Sequence, residues 1–186
     1  VTVDVELLRH PVSLAVLGAI VGSFLNVVIW RVPRGQSVMR PRSRCTSCRA
    51  PVRPLDNVPV LSWLLLRGRC RSCRARISPR YPAIEAATAA LWAVTGLVVA
   101  DPAALAFALA FVSAMIVVTF IDLDHMTIPD RITLPGMAIA LAAAFLGGVV
   151  EPRQALVGLL AGGGGLLAVA TAYRAATGRD GLGGGD

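Results

Sequence analysis

The chain has 186 residues, of which 55% are hydrophobic and only 16% charged, with a mean hydropathy of +0.68. A soluble domain of this size carries about 25% charged residues, so much of this surface is solvated by lipid rather than water. The net charge of +7 raises nucleic acid as a partner, but no aromatic interleaving or groove-reading helix accompanies it, and nucleic-acid binding is set aside.

Five uncharged or nearly uncharged stretches follow in chain order: Pro11–Trp30, Tyr81–Ala100 with Glu85 inside it, Pro102–Ile121, Ile132–Val150 and Gln154–Tyr173. Each matches the ~20 residues that cross about 30 Å of hydrocarbon as a helix. None has the period-two pattern of a membrane barrel. The first lacks a small-residue cleavage site and ends at Trp30-Arg31, an interfacial anchor, so it reads as a retained helix. The expected fold is an all-α polytopic membrane protein with about five transmembrane helices. Its predicted divisions are 1–30 (external N-terminus and first helix), 31–80 (a small loop domain) and 81–186 (the remaining helices).

All 18 basic residues are Arg, and 13 of them lie between Arg31 and Arg80, where Asp56 is the only acid. With Arg131, Arg174 and Arg179 on the same side, 16 basic residues face only Arg9 and Arg153. The positive-inside rule puts that side in the cytoplasm and the N-terminus outside. Anionic lipid headgroups are the natural counterpart of such a loop.

All four cysteines lie in this loop, as Cys45-Thr46-Ser47-Cys48 and Cys70-Arg71-Ser72-Cys73, with 21 residues between the pairs. Two C-x-x-C knuckles at this separation suit four thiolates around one tetrahedral Zn²⁺. Two disulfides are the alternative, disfavoured in a reducing compartment. Four thiolates close the coordination shell, so the expected zinc is structural. It would staple a segment whose one sustained apolar run is Val58–Leu66.

After the third stretch comes Ile121-Asp122-Leu123-Asp124-His125-Met126-Thr127-Ile128-Pro129-Asp130. A carboxylate just inside a bilayer surface is costly and points to function, although acids also mark an ordinary water boundary. The chain closes on Gly183-Gly184-Gly185-Asp186, where glycine permits close backbone approach but also makes flexible linkers. Asp124 and Asp130 are secondary candidates, and His125 reads as a loop or interface residue.

Together these features resemble the prepilin peptidase (type IV leader peptidase) family of GxGD aspartyl proteases. Gly22-Ser23-Phe24-Leu25-Asn26-Val27-Val28-Ile29 with Arg31-Val32-Pro33 is similar to its first-helix signature. The paired C-x-x-C motifs, Arg80-Tyr81-Pro82-Ala83-Ile84-Glu85 with Thr88-Ala89, the I-D-L-D-H-x-x-I-P-D segment and the closing G-x-G-D follow in the family's order.

The resemblance implies a bacterial inner-membrane enzyme with Asp122 and Asp186 as its cytoplasm-facing catalytic pair. Two membrane crossings between them return the chain to one face. The implied substrates are type IV prepilin or type II secretion pseudopilin precursors, cut after a short basic leader. Asp56 and Glu85 are conceivable contacts for that leader, and Glu85 reads equally as an interior packing group. Many members also N-methylate the new terminus with S-adenosylmethionine, an activity whose linked glycine corresponds to Gly68. The Rossmann fingerprint is missing from the sequence. Members usually continue beyond this Asp into a Lys-containing run and further helices, so a partial chain, inactive alone, is expected. Two competing classes are a zinc-stapled non-enzymatic scaffold of a pilus or secretion system and a lipid-phosphate transferase using Mg²⁺ on Asp122, Asp124 and Asp130. A serine-type intramembrane protease is disfavoured, because no G-x-S-x-G elbow occurs and His10 and His125 are the sequence's two histidines.

Overall fold

The structure is a computed structural model that describes residues 5–146 and 150–178. Its helices are α1 (Val5–Arg9), α2 (Pro11–Arg31), α3 (Leu61–Leu65), α4 (Arg80–Val98), α5 (Pro102–His125), α6 (Asp130–Leu146) and α7 (Pro152–Thr177). Single 3-10 turns occupy Val32–Arg34 and Pro54–Asn57, and no strand is present among the described residues. The expected all-α membrane architecture is therefore found.

Helix boundaries follow local chemistry. Pro11, Pro102 and Pro152 stand at helix starts, where a missing N–H costs nothing. The Asp101 carboxylate accepts the Ala104 N–H at 2.7 Å and caps α5. Gly178 ends α7 in the left-handed region at φ 66°, donating its N–H to the Arg174 carbonyl.

Four helical segments are long and apolar enough to cross a bilayer: Pro11–Arg34, Arg80–Val98, Pro102–His125 and Pro152–Thr177. The fourth expected stretch forms α6, with 17 residues described and residues 147–149 outside the description. At 1.5 Å per residue α6 rises about 26 Å. The chain divides into two compact units, Val1–His125 and Met126–Asp186.

In the first unit α2 packs mainly along α4, and α5 rests on both. Gly18, Gly22 and Asn26 repeat every four residues and so share one face of α2. A Cβ on Gly22 would stand 2.8 Å from the Glu85 Cα, and one on Gly18 2.9 Å from the Thr88 carbonyl oxygen. Without a hydrophobic drive between helices in lipid, this close approach is what dispersion forces require.

Polar contacts add to it. Asn26 donates to the Tyr81 carbonyl at 3.2 Å, and Trp92 Nε1 donates to Ser113 Oγ at 3.1 Å between α4 and α5. Thr88, fully buried, returns its hydroxyl proton to the Ile84 carbonyl. At the opposite end Arg9 donates to the Ala100 carbonyl. Outward-facing Val12, Val16, Leu91, Val98 and Phe111 remain exposed, as a lipid-solvated surface requires.

The end of α2, the start of α4 and the end of α5 meet at one pole of this unit. The loop 32–79 and Asp122 therefore lie at the same pole. In the second unit, α6 contains Pro135, and α7 buries none of its residues.

Gly22→Ala is expected to destabilise the detergent-solubilised chain by about 1–3 kcal/mol, because the new methyl meets α4 backbone. Gly136→Ala, where a Cβ meets open space, is expected to be neutral or slightly stabilising. Denaturant unfolding of the two variants reads the difference.

Candidate functional site

The loop 32–79 folds as two copies of one small motif. Cys45 donates its N–H to the Ala50 carbonyl and accepts the Arg49 N–H at its own carbonyl, both at 2.9 Å. Cys70 repeats this with Ala75 at 2.8 Å and Arg74 at 3.0 Å. Arg49 and Arg74 adopt matching left-handed conformations, at φ 59° and 60°. Isolated antiparallel bridges, Arg44 with Pro51 and Arg69 with Arg76, close both turns.

This doubling brings the four sulfurs within 4.8 Å of one another, with Cys45 Sγ 3.8 Å from Cys73 Sγ. A tetrahedral zinc with Zn–S bonds of about 2.3 Å spaces its sulfurs about 3.8 Å apart, so the donor set fits a metal of that kind. All four are free thiols. Hydrogen bonds from the Cys48 and then the Ser47 backbone amides pull the Cys45 thiol down to about 6. The Ala75 amide acts in the same direction on Cys73, but the nearby sulfurs, Cys48 foremost, and desolvation together push it up to about 11. Crowding four ionisable sulfurs favours a cation among them.

Few apolar groups support this module. Gly68 sits at φ 64° beneath the Trp63 indole, where a Cβ would lie 2.8 Å from Cζ2. Trp63 Nε1 donates to the Ile77 carbonyl at 3.1 Å, and the Ile77 N–H donates to the Gly68 carbonyl at 2.7 Å. Gly68 is thus a packing position within the module. Arg31 gathers the approaching chain by donating to the carbonyls of Ser37 and Pro41 at 2.8 and 2.7 Å.

Glu85 ties the module to the helices. Its buried carboxylate accepts the Val60 N–H at 2.7 Å. Val60 stands at φ 60°, ψ −52°, and the Leu61 N–H bonds the Pro59 carbonyl, which together define a γ-turn of the strained hand. Of the two sequence readings of Glu85, this contact is the interior-packing one.

The acids of the I-D-L-D-H segment are treated unequally. Asp124 is paired with Arg80 at 2.6 Å, while the second Arg80 nitrogen donates to the Phe120 carbonyl and its guanidinium lies 4.9 Å over the Phe120 ring. Arg80 therefore clips the end of α5 to the start of α4. Asp122, two residues earlier and half-buried, has no hydrogen-bond or ion-pair partner among the described residues. Asp130 opens α6 in the second unit. Asp186 and the glycines before it lie outside the described residues. Sequence reasoning did not single out Arg80 as a partner of Asp124, since 44 positions separate them and only the meeting of two helix ends joins them.

Two family descriptions match the chain in tandem: the Bacterial Peptidase A24 N-terminal domain over residues 16–99 and the Type IV leader peptidase family over residues 109–186. Relatives named prepilin leader peptidase/N-methyltransferase occur in Dichelobacter nodosus (36% identical, covering 97% of this chain and 74% of the relative), Neisseria gonorrhoeae (38%, 92% and 68%) and Myxococcus xanthus (44%, 81% and 45%). The chain belongs to the type IV leader peptidase family, a multi-pass membrane family. No solved structure gives a significant match.

Within the module, Asp56 accepts a forked ion pair from Arg71, with N–O distances of 2.6 to 3.0 Å. That hydrogen bond, then the Arg71 charge, holds the Asp56 carboxyl below its usual range against the opposing effect of burial. A depressed folded value favours the ionised form on folding. The resulting stability is complete well above the ordinary carboxylate value of about 3.9 and is lost as pH falls through the lower folded value. Asp56→Asn is expected to be less stable than the parent at neutral pH, with the gap closing in acid. Urea midpoints across pH read this.

Proposed function

We propose that this chain acts as a membrane aspartic endopeptidase that removes the leader from type IV prepilin or pseudopilin precursors, with Asp122 and Asp186 as its two catalytic carboxylates. The observation that carries the reading is the contrast between neighbouring acids. Arg80 neutralises Asp124, whereas Asp122 is left half-buried and unpartnered at the pole that carries the cysteine module. Among the described residues two helices, α6 and α7, follow Asp122, and two crossings are the parity that a shared membrane face requires.

Two carboxylates brought together hold one proton between them, because adjacent like charges repel. The ionised partner takes a proton from water as the water attacks the scissile carbonyl carbon. The protonated partner donates a hydrogen bond to the carbonyl oxygen. Collapse of the tetrahedral adduct breaks the C–N bond, and the proton gained from water passes to the leaving amine. The pair titrates as a unit, so the starting proton belongs to neither residue alone.

The excess of arginine in loop 32–79 supports a cytoplasmic location for this pole in a bacterial inner membrane, with the N-terminus outside. The functional division we favour is 1–30, 31–80 and 81–186, with the middle segment stapled by zinc on Cys45, Cys48, Cys70 and Cys73. The bound ion would supply a closed, structural S₄ shell and no catalytic position.

S-adenosylmethionine enters through the relatives' methyltransferase name. The surroundings of Gly68 do not fit it. The space beside the glycine is filled by Trp63, and the adjacent cleft is lined by Arg67, Arg69 and Arg74, which repel a sulfonium cation. No methyl-transfer step is derived. A non-enzymatic scaffold is not favoured for a member of a peptidase family.

In proteoliposomes, Asp122→Asn and Asp186→Asn in the family's full-length context are each expected to reduce prepilin cleavage at least about 10³-fold while retaining the parent's helicity. Cleavage surviving in either variant removes the pair. Mass spectra of the product, with and without added S-adenosylmethionine, read methylation directly.

Purified chain is expected to carry about one zinc. A Cys48→Ser/Cys73→Ser variant is expected to lose it, and limited proteolysis is then expected to cut within 37–79 while α2 and α4 stay intact. Stoichiometric zinc in that variant removes the four-thiolate assignment.

A further inference from the structure

The cysteine module carries a surface that neither the metal nor the carboxylates use. Leu61, Leu64 and Leu65 are exposed to 59%, 56% and 84%. Their i, i+3, i+4 spacing puts them on one face of α3. That face borders an open cleft of about 470 Å³ lined by Leu65, Leu66, Arg67, Arg69 and Arg74. Among the described residues none of these three guanidiniums has an ion-pair partner, and Asp56, the module's one acid, is held by Arg71.

The position of α3 identifies the occupant. Its preceding residue, Val60, is hydrogen-bonded to Glu85, six residues into the membrane-length helix α4, so α3 starts at the end of a bilayer-crossing segment. Three leucines and three unpaired arginines side by side at that depth offer acyl-chain contact next to phosphate-binding charge. A basic leader peptide would be repelled there, whereas an anionic headgroup would be held.

We propose that Leu61, Leu64, Leu65, Arg67, Arg69 and Arg74 form a binding site for an anionic phospholipid of the membrane crossed by α4, docking the cysteine module on the bilayer surface. The site rests on the multi-pass architecture and not on the Asp122–Asp186 pair, so either assignment can fail without the other.

The test is amide hydrogen exchange of the full chain in nanodiscs of phosphatidylcholine, alone or mixed with phosphatidylglycerol. Exchange across residues 61–69 is expected to slow about tenfold when phosphatidylglycerol is present, an effect that high salt weakens. An Arg67→Gln/Arg69→Gln/Arg74→Gln variant is expected to lose the difference, and the corresponding triple Lys variant to keep it, with α4 exchange unchanged in both. Should the glutamine variant fail to fold, Leu64→Ser/Leu65→Ser is expected to shrink the difference by itself.

Equal exchange in the two nanodiscs overturns the site. So does a difference that survives both variants. Protection in phosphatidylcholine by inorganic phosphate, S-adenosylmethionine or a prepilin peptide also overturns it, assigning the cleft to a free anion, the methyl donor or the substrate.

Discussion

Everything at the pole that carries the cysteine module depends on how closely α2 approaches α4. Gly18 and Gly22 remove the side chains that would hold the helices apart, and the Glu85 backbone fills the space over Gly22. Once the helices lie that close, Asn26 reaches the Tyr81 carbonyl, and the register of α4 against α2 is set. In lipid, an interhelical hydrogen bond and tight dispersion contact replace the hydrophobic drive of a soluble core. That register places Glu85 under Val60 and Arg80 beside α5.

The cysteine module illustrates how little apolar burial a small domain needs when other constraints do the work. Trp63 packs over Gly68, and the backbone is organised by two repeated turns that bring the four sulfurs together. Such a segment has few buried groups to offset chain entropy by packing alone, a deficit that a cation among the four thiolates would make up. Its attachment takes two contacts: Arg31 gathers the incoming chain and Glu85 holds the strained turn at Val60.

Arg80 separates two acids that look equivalent in sequence. One guanidinium meets Asp124, the Phe120 carbonyl and the Phe120 ring, and so finishes α5 while leaving Asp122 on the nearly opposite face. Residues two apart on a helix differ by about 200° around its axis, so pairing one does not engage the other. The same pairing argues against a magnesium site built on both acids, because a guanidinium already occupies the place of the metal at Asp124.

The sequence by itself determined the lipid-solvated helical class, through charge depletion and stretches of crossing length. It also determined the four-sulfur cluster, through paired C-x-x-C spacing, and the family, through motifs in order. These are local or compositional signals, and they need no knowledge of which helices touch. The second carboxylate proposed for the pair, Asp186, stands on sequence resemblance alone, because it lies outside the described residues. Tertiary structure decided which acid near Pro129 is neutralised, that Gly68 packs under Trp63, that Glu85 anchors a turn, and that α3 turns its leucines outward. Each is a contact between side chains or turns whose pairing follows from helix register and loop path, which hydropathy and spacing do not encode.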